Sequence, residues 1–210
     1  MKKVILSIAL LSLISVANAQ VKQRSATKGF NAAARAHVLG WASEYFEFLD
    51  KNSSSGFGGG IRLGYGVTEL IEPYVGFDFT TLGTSEIDAE SFNMMHLDAG
   101  VRVNLAGTVH PVRPFLEAGY SYLKGKVNQV INGPNNYVDL EFYGGKPHVG
   151  GGVNYFFKIP IAVFAEGIFT VGKKSKAKLD GTEIPNEEPD VTTFRVSVGI
   201  VFNISELSKK

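Results

Sequence analysis

The stretch Phe92-Asn93-Met94-Met95-His96-Leu97-Asp98-Ala99-Gly100-Val101-Arg102-Val103-Asn104-Leu105 decides the fold. Met95, Leu97, Ala99, Val101, Val103 and Leu105 share one parity, while His96, Asp98, Gly100, Arg102 and Asn104 share the other. A period of two sends successive side chains to opposite faces of an extended chain, so this is a strand with one apolar and one polar face. The last such segment repeats the pattern, Phe194, Val196, Val198, Ile200 and Phe202 alternating with Thr193, Arg195, Ser197, Gly199 and Asn203. Both runs are longer than the about five or six residues usual for a strand of a soluble protein.

Six more segments take the same reading, at 33–46, 56–67, 71–81, 113–127, 140–157 and 161–172. The connections then alternate in length. Short ones fall at 68–70, 106–112 and 158–160, and longer polar ones at 49–55, 82–91, 128–139 and 173–190. An even strand count, with short turns on one side and long loops on the other, predicts an all-β fold: an eight-stranded antiparallel up-and-down transmembrane β-barrel with both termini on the periplasmic side. The first strand competes with a helix, because Ala32, Ala33, Ala34 and Ala36 are good helix formers and Phe30, Ala33, His37 and Trp41 fit one helical face. A helix there would leave seven strands, against the even count of bacterial barrels.

Aromatic positions decide which face points outward. On the apolar parity Tyr65, Tyr155, Phe157 and Phe202 fall near the short-turn end, and Phe57, Phe79, Tyr120, Tyr122, Tyr143, Phe169 and Phe194 near the long-loop end. Two ring belts flanking aliphatic residues are the pattern of a lipid-facing surface. The other parity carries Arg35, Arg62, Arg102, Arg113, Lys146 and Arg195 with Glu72, Asp78, Asp98, Glu117 and Glu166, beside His37, His96 and His148. Arg or Lys at the lipid-facing midplane costs about 2–4 kcal/mol, so these charges are expected in the lumen. An eight-stranded lumen is just wide enough for side chains to fill, which predicts a paired polar network there.

The ends of the chain set its compartment. Lys2 and Lys3, an apolar run from Val4 to Ala17 and the small residues Ala17 and Ala19 form a signal-peptide pattern over 1–19. That leaves 20–210 as the barrel domain, with a short periplasmic tail at 20–31. Loss of Lys2 and Lys3 from 21 basic residues, against 20 acidic ones, brings the chain to a net charge of about −1. No basic excess points to nucleic acid. The absence of cysteine excludes disulfides and a lipidated N-terminal cysteine.

Several segments resemble the outer-membrane protein β-barrel domain family. They are Lys28-Gly29-Phe30-Asn31, the glycine-rich Gly56-Phe57-Gly58-Gly59-Gly60-Ile61-Arg62-Leu63-Gly64-Tyr65-Gly66, Arg113-Pro114-Phe115-Leu116-Glu117-Ala118-Gly119 and Gly150-Gly151-Gly152-Val153-Asn154-Tyr155-Phe156. The resemblance covers nearly the whole mature chain and extends to the OmpA/OmpX-type small barrels, in a variety common among Bacteroidetes. It implies outer-membrane lipids and the outer-membrane insertion machinery as partners. Phe202 resembles the terminal aromatic which that machinery reads, although this chain runs on to Lys210.

No constellation for chemistry stands out. The glycine clusters lack the full phosphate-binding fingerprint followed by a helix. His37, His96 and His148 show no metal-ligand spacing. His96 and Asp98 lie about 7 Å apart along one strand, and no nucleophile, base and orienting acid come together. No catalytic residue, cofactor or metal site is therefore expected. Lys124, Lys126, Lys173, Lys174, Lys176 and Lys178 gather at the long-loop side, where they would be solvated or meet lipopolysaccharide phosphates. The reading that results is a non-enzymatic barrel with a plugged polar lumen, structural or interacting through its extracellular loops. A small-solute pore, a lipid A-modifying enzyme and a soluble periplasmic binding barrel are the competing readings.

Overall fold

The computed structural model describes residues 23–131, 137–172, 175–185 and 188–208. The expected signal peptide at 1–19, Lys173, Lys174 and the tip of the loop after the fifth strand lie outside the described residues.

Eight long strands form the barrel wall: β1 (Gly29–Ala42), β2 (Ser55–Gly66), β3 (Ile71–Leu82), β4 (Ser91–Asn104), β5 (Val112–Ile131), β6 (Tyr137–Lys158), β7 (Ile161–Thr170) and β10 (Thr192–Asn203). Each pairs antiparallel with its neighbours, and β1 closes the cylinder on β10 with Ala32 opposite Phe202 and Leu39 opposite Arg195. This is the expected eight-stranded, up-and-down antiparallel barrel. Among the described residues no helix is long and apolar enough to cross a membrane.

The strand boundaries depart from expectation at three places. β1 starts at Gly29 rather than 33, so residues 29–31 of the expected tail belong to the wall. It stops at Ala42, where Asp190 accepts hydrogen bonds from the Glu44 and Tyr45 amides and the chain turns into helix α1 (Glu47–Asn52). The alanines do not make a helix, because strand geometry lets Arg35, His37, Leu39 and Trp41 all point inward while Ala34 and Ala36 face out. Tertiary burial overrides a weak propensity here. Next, β5 and β6 run beyond the expected 127 and 140, past a register shift between Val127 and Val130. Finally, the last long loop contains a hairpin, β8 (Lys176–Leu179) and β9 (Thr182–Glu183), that adds to β6 with Tyr143 opposite Lys176. Its two-residue turn is Asp180-Gly181, both at positive φ (48° and 79°), as a hairpin of this length requires. Beyond β10 a single turn, α2 (Ile204–Leu207), is capped by the Asn203 side chain, which accepts from the Glu206 amide.

The wall is inside-out relative to a water-soluble protein. Arg102, Arg113 and Arg195 are among the largest fully buried side chains, while Val198 is 60 % and Phe57 66 % exposed. Burying arginine and exposing valine is stable only when the surroundings of the outer face are apolar.

Candidate functional site in the lumen

Four arginines and four carboxylates interlock across the middle of the lumen. Arg35 on β1 donates from Nε and Nη2 to the two oxygens of Asp78 on β3, both at 2.7 Å, and from Nη1 to Glu166 on β7 at 2.5 Å. Arg195 on β10 pairs with Asp78, and with Asp98 on β4 at 2.9 Å. Glu166 also receives Arg62 of β2 at 3.0 Å and Arg102 of β4 at 2.6 Å, and Arg102 reaches Glu117 of β5 at 2.6 Å. These bonds tie together seven of the eight wall strands, all but β6. All eight side chains belong to residues no more than 6 % exposed. Glu72 of β3 faces the same space beside Arg62 and Arg102. The Arg102 guanidinium also lies over the Phe115 ring at 3.6 Å, giving it an apolar as well as an ionic seat.

Register explains how so many long side chains fit. Arg35 is directly opposite Gly60 on β2 and Gly199 on β10, Glu117 is opposite Gly150, and Glu166 is opposite Gly152. A methyl group at Gly60 would run into the Asp78 carboxylate, and one at Gly64 into that of Glu72. The lumen-facing glycines thus supply the volume that the charged side chains occupy.

The remaining candidate lumen residues take other partners. Tyr74 Oη bonds His148 Nε2 at 2.8 Å, His37 Nε2 bonds Thr80 at 2.7 Å, and His96 Nε2 bonds Thr193 at 3.2 Å. Lys146 and Arg113 do not join the central network. Lys146 donates to the Gly172 carbonyl at 2.6 Å near the long-loop end. Arg113 closes the short-turn end by donating to the carbonyls of Ala106 and Glu69 and to Thr27 Oγ1. The segment 24–28 is drawn into that mouth. The Arg24 and Ser25 amides bond the Thr108 carbonyl, the Thr27 amide bonds Glu69, and Asn203 Nδ2 donates to the Ala26 and Lys28 carbonyls. Ser25, Ala26 and Thr27 are buried as a result. The space left between them and Arg62, Glu72 and Arg102 is about 10 Å³, about the volume one water needs.

At the long-loop end the lumen changes character, which the sequence reading did not anticipate. Leu39, Trp41, Leu82, Phe92, Met94, Leu123, Val127 and Phe142 point inward from the strand ends, and Phe46, Leu49, Ile87, Ala177 and Val191 fold over them from the loops. Trp41 stacks on Phe142 with ring centroids 5.6 Å apart and meets Phe92 edge-on at 5.4 Å. Its indole N–H donates to the Ser53 carbonyl at 2.6 Å, so the one polar atom of the ring is satisfied. The signal lay in the lumen parity itself, which turns from His96 and Asp98 to Phe92 and Met94 toward the loop end of β4.

On the outer surface Phe57, Tyr65, Phe79, Tyr120, Tyr122, Tyr155, Phe157, Phe169 and Phe194 are exposed, and Phe202 is partly so. Tyr143 faces outward too, but it lies among the polar groups of β8 and β9, where it donates to Glu183 and sits beneath Lys178. Among the described residues no group of three or more His, Cys, Asp or Glu is placed to hold a metal ion.

A closed antiparallel cylinder with charges inside and apolar side chains outside defines a small outer-membrane β-barrel. The sequence matches the outer membrane protein beta-barrel domain family over residues 6–202, and the chain belongs to that family, whose place is the outer membrane. No curated protein sequence matches it. Among solved structures it is similar to Neisserial surface protein A, NspA, at TM-score 0.60 and 18 % identity over 84 % of this chain and 98 % of that one. It is similar to OprG of Pseudomonas aeruginosa at 0.57 and 9 % over 86 % and 98 %, and to Ail of Yersinia pestis at 0.50 and 13 % over 84 % and 100 %. At such identities the likeness is one of fold.

Proposed function

We propose that this protein is a non-enzymatic outer-membrane barrel whose lumen is plugged by its own side chains, and whose role is structural or carried by extracellular loops. The observation behind this reading is the interlocked layer of Arg35, Arg62, Arg102 and Arg195 with Asp78, Asp98, Glu117 and Glu166. Each charge holds its partner in place, because releasing one alone leaves the other uncompensated in a poorly hydrated space. The same pairing speaks against catalysis in the lumen, since its acids and bases are bound to one another rather than presented to a substrate. The long loops face outward from the cell in this topology, where surface loops are the usual carriers of binding. Export follows from the 1–19 signal, so the mature N-terminus is expected at Gln20 and direct sequencing of the purified protein checks it. Assembly requires the outer-membrane insertion machinery, with Phe202 at the end of β10 as the aromatic it reads. The test of closure is a planar bilayer. The purified protein is expected to give no stable porin-sized conductance, and large, long-lived steps would promote the small-solute pore instead.

A further inference from the structure

We propose that residues 24–28 form a lock on the β1–β10 seam, one that sets only after the barrel has closed and that slows unfolding without speeding folding. The seam joins the first wall strand to the last, so it is the wall contact of longest sequence separation and the one whose closure orders the most chain. At its short-turn end Asn31 of β1 lies directly opposite Asn203 of β10, and both are buried, at 4 % and 1 % exposure. Both hold the incoming chain through their side-chain amides. Asn31 Nδ2 donates to the Thr27 and Gly29 carbonyls at 2.7 and 3.2 Å, and Asn203 Nδ2 to the Lys28 and Ala26 carbonyls at 2.9 and 3.4 Å. Gly29, at a φ of 90°, supplies the left-handed turn through which the segment bends into the mouth.

From the seam the segment crosses to the far side of the wall. The Thr27 amide donates to Glu69 Oε2 at 2.9 Å in the β2–β3 turn, and Thr27 Oγ1 donates to the Glu69 carbonyl at 2.7 Å while accepting from Arg113 Nη1 of β5 at 3.1 Å. The Arg24 and Ser25 amides reach the Thr108 carbonyl, in the β4–β5 turn halfway round the barrel, at 2.8 and 3.0 Å. On the outer face α2 grips the same seam. The Phe30 amide donates to Ser205 Oγ at 2.9 Å, and the Glu206 amide to Asn203 Oδ1 at 2.8 Å. The inner bonds draw on β1, β5, β10 and two turns at once, and only a closed cylinder brings those groups together. They are therefore missing while the strands are still assembling. Interactions absent from the folding transition state act on the unfolding rate and leave the folding rate unchanged.

The test measures folding and unfolding rates in urea with phosphatidylcholine vesicles, followed by Trp41 emission and by heat-modifiable migration on gels. Three chains are compared: the mature protein, the same protein with Thr27→Val, and a chain shortened to begin at Lys28. Thr27→Val keeps the shape of the side chain and removes the hydroxyl that joins Glu69 to Arg113. The shortened chain is expected to unfold at least about fivefold faster than the mature protein, and Thr27→Val at least about twofold faster, because several buried hydrogen bonds or one are lost. Both should fold at the parent rate to within about twofold. Smaller accelerations of unfolding would overturn the proposal. So would folding slowed as much as unfolding is accelerated, which would place the segment in the folding nucleus. Failure of the shortened chain to form a heat-modifiable barrel would overturn it too, since a lock that sets after closure is not needed to reach it.

Discussion

Two regions share the interior of this barrel and are built on opposite principles. At the waist, Arg35, Arg62, Arg102 and Arg195 are paired with carboxylates at 0–6 % exposure, whereas at the loop end Trp41, Phe92, Leu123 and Phe142 pack as a dry aromatic and aliphatic cluster. The strands are continuous between the two, and the alternation of faces is unbroken in β4, so the difference comes from surroundings rather than backbone. At the waist the wall is closed all round and long charged side chains fill it. At the loop end three of the long connections bring in Phe46, Leu49, Ile87 and Val191, which cover apolar side chains as any soluble core is covered. A charged filling makes each residue depend on specific partners, while an apolar filling depends only on volume.

That difference sets the order of mutational effects. Glu166 receives three arginines, so Glu166→Ala takes from Arg62 the carboxylate it binds and leaves Arg35 to Asp78 and Arg102 to Glu117 alone across the gap. It should cost about 3–5 kcal/mol, as one-sided removal from a buried ion pair does, in reversible unfolding from lipid vesicles. A loss below about 1 kcal/mol would erase the distinction between the regions. Leu123→Ala in the cap should cost less, about 2–4 kcal/mol, because loops can partly collapse into the space. Trp41 is the only tryptophan of the chain and lies in the cap, so its emission should shift to the red in Leu123→Ala and hold in any folded waist variant.

The charged half of this division was legible in the sequence, and the apolar cap was not. Period-two alternation located all eight wall strands, and the lumen parity named Arg35, Asp78, Asp98, Arg102 and Glu166 without showing which pairs with which. Partners depend on the cross-barrel register, which no local pattern encodes: Arg35 meets Glu166 across 131 residues. For the same reason the glycines could be read as aids to curvature, but not as the space opposite Arg35 or Glu117. The hairpin was available in Asp180-Gly181, a strong two-residue turn signal inside the long polar connection 173–190. The shift of β1 was not available, since it is set by pairing with β10 and by the Asp190 contact with residues 43–45.

The smallest expected effect is that of pH on the cap. Burial would push the Asp190 carboxyl up, but hydrogen bonds from the Glu44 and Tyr45 amides and Ser43 Oγ outweigh it and hold the group below the usual carboxylate range. A lowered folded value means the contact stabilises the loop fully above the ordinary carboxylate pKa of about 3.9 and is lost as pH falls through the folded value. Trp41 emission and protease nicking in 43–54 should therefore be flat from about pH 8 to 5 and change only below about pH 4. A transition near neutral pH would assign the cap a different anchor.

The central claim is that the charged waist, not the apolar cap, closes the barrel. The most direct test is single-channel recording of the double variant Trp41→Ala/Phe142→Ala, which removes the stacked rings at the loop end. The account predicts a folded, heat-modifiable barrel that stays electrically silent, because the ion-paired layer still crosses the lumen. Stable conductance steps in that variant, absent from the unmodified protein, would make the cap the seal and the waist a water-accessible channel.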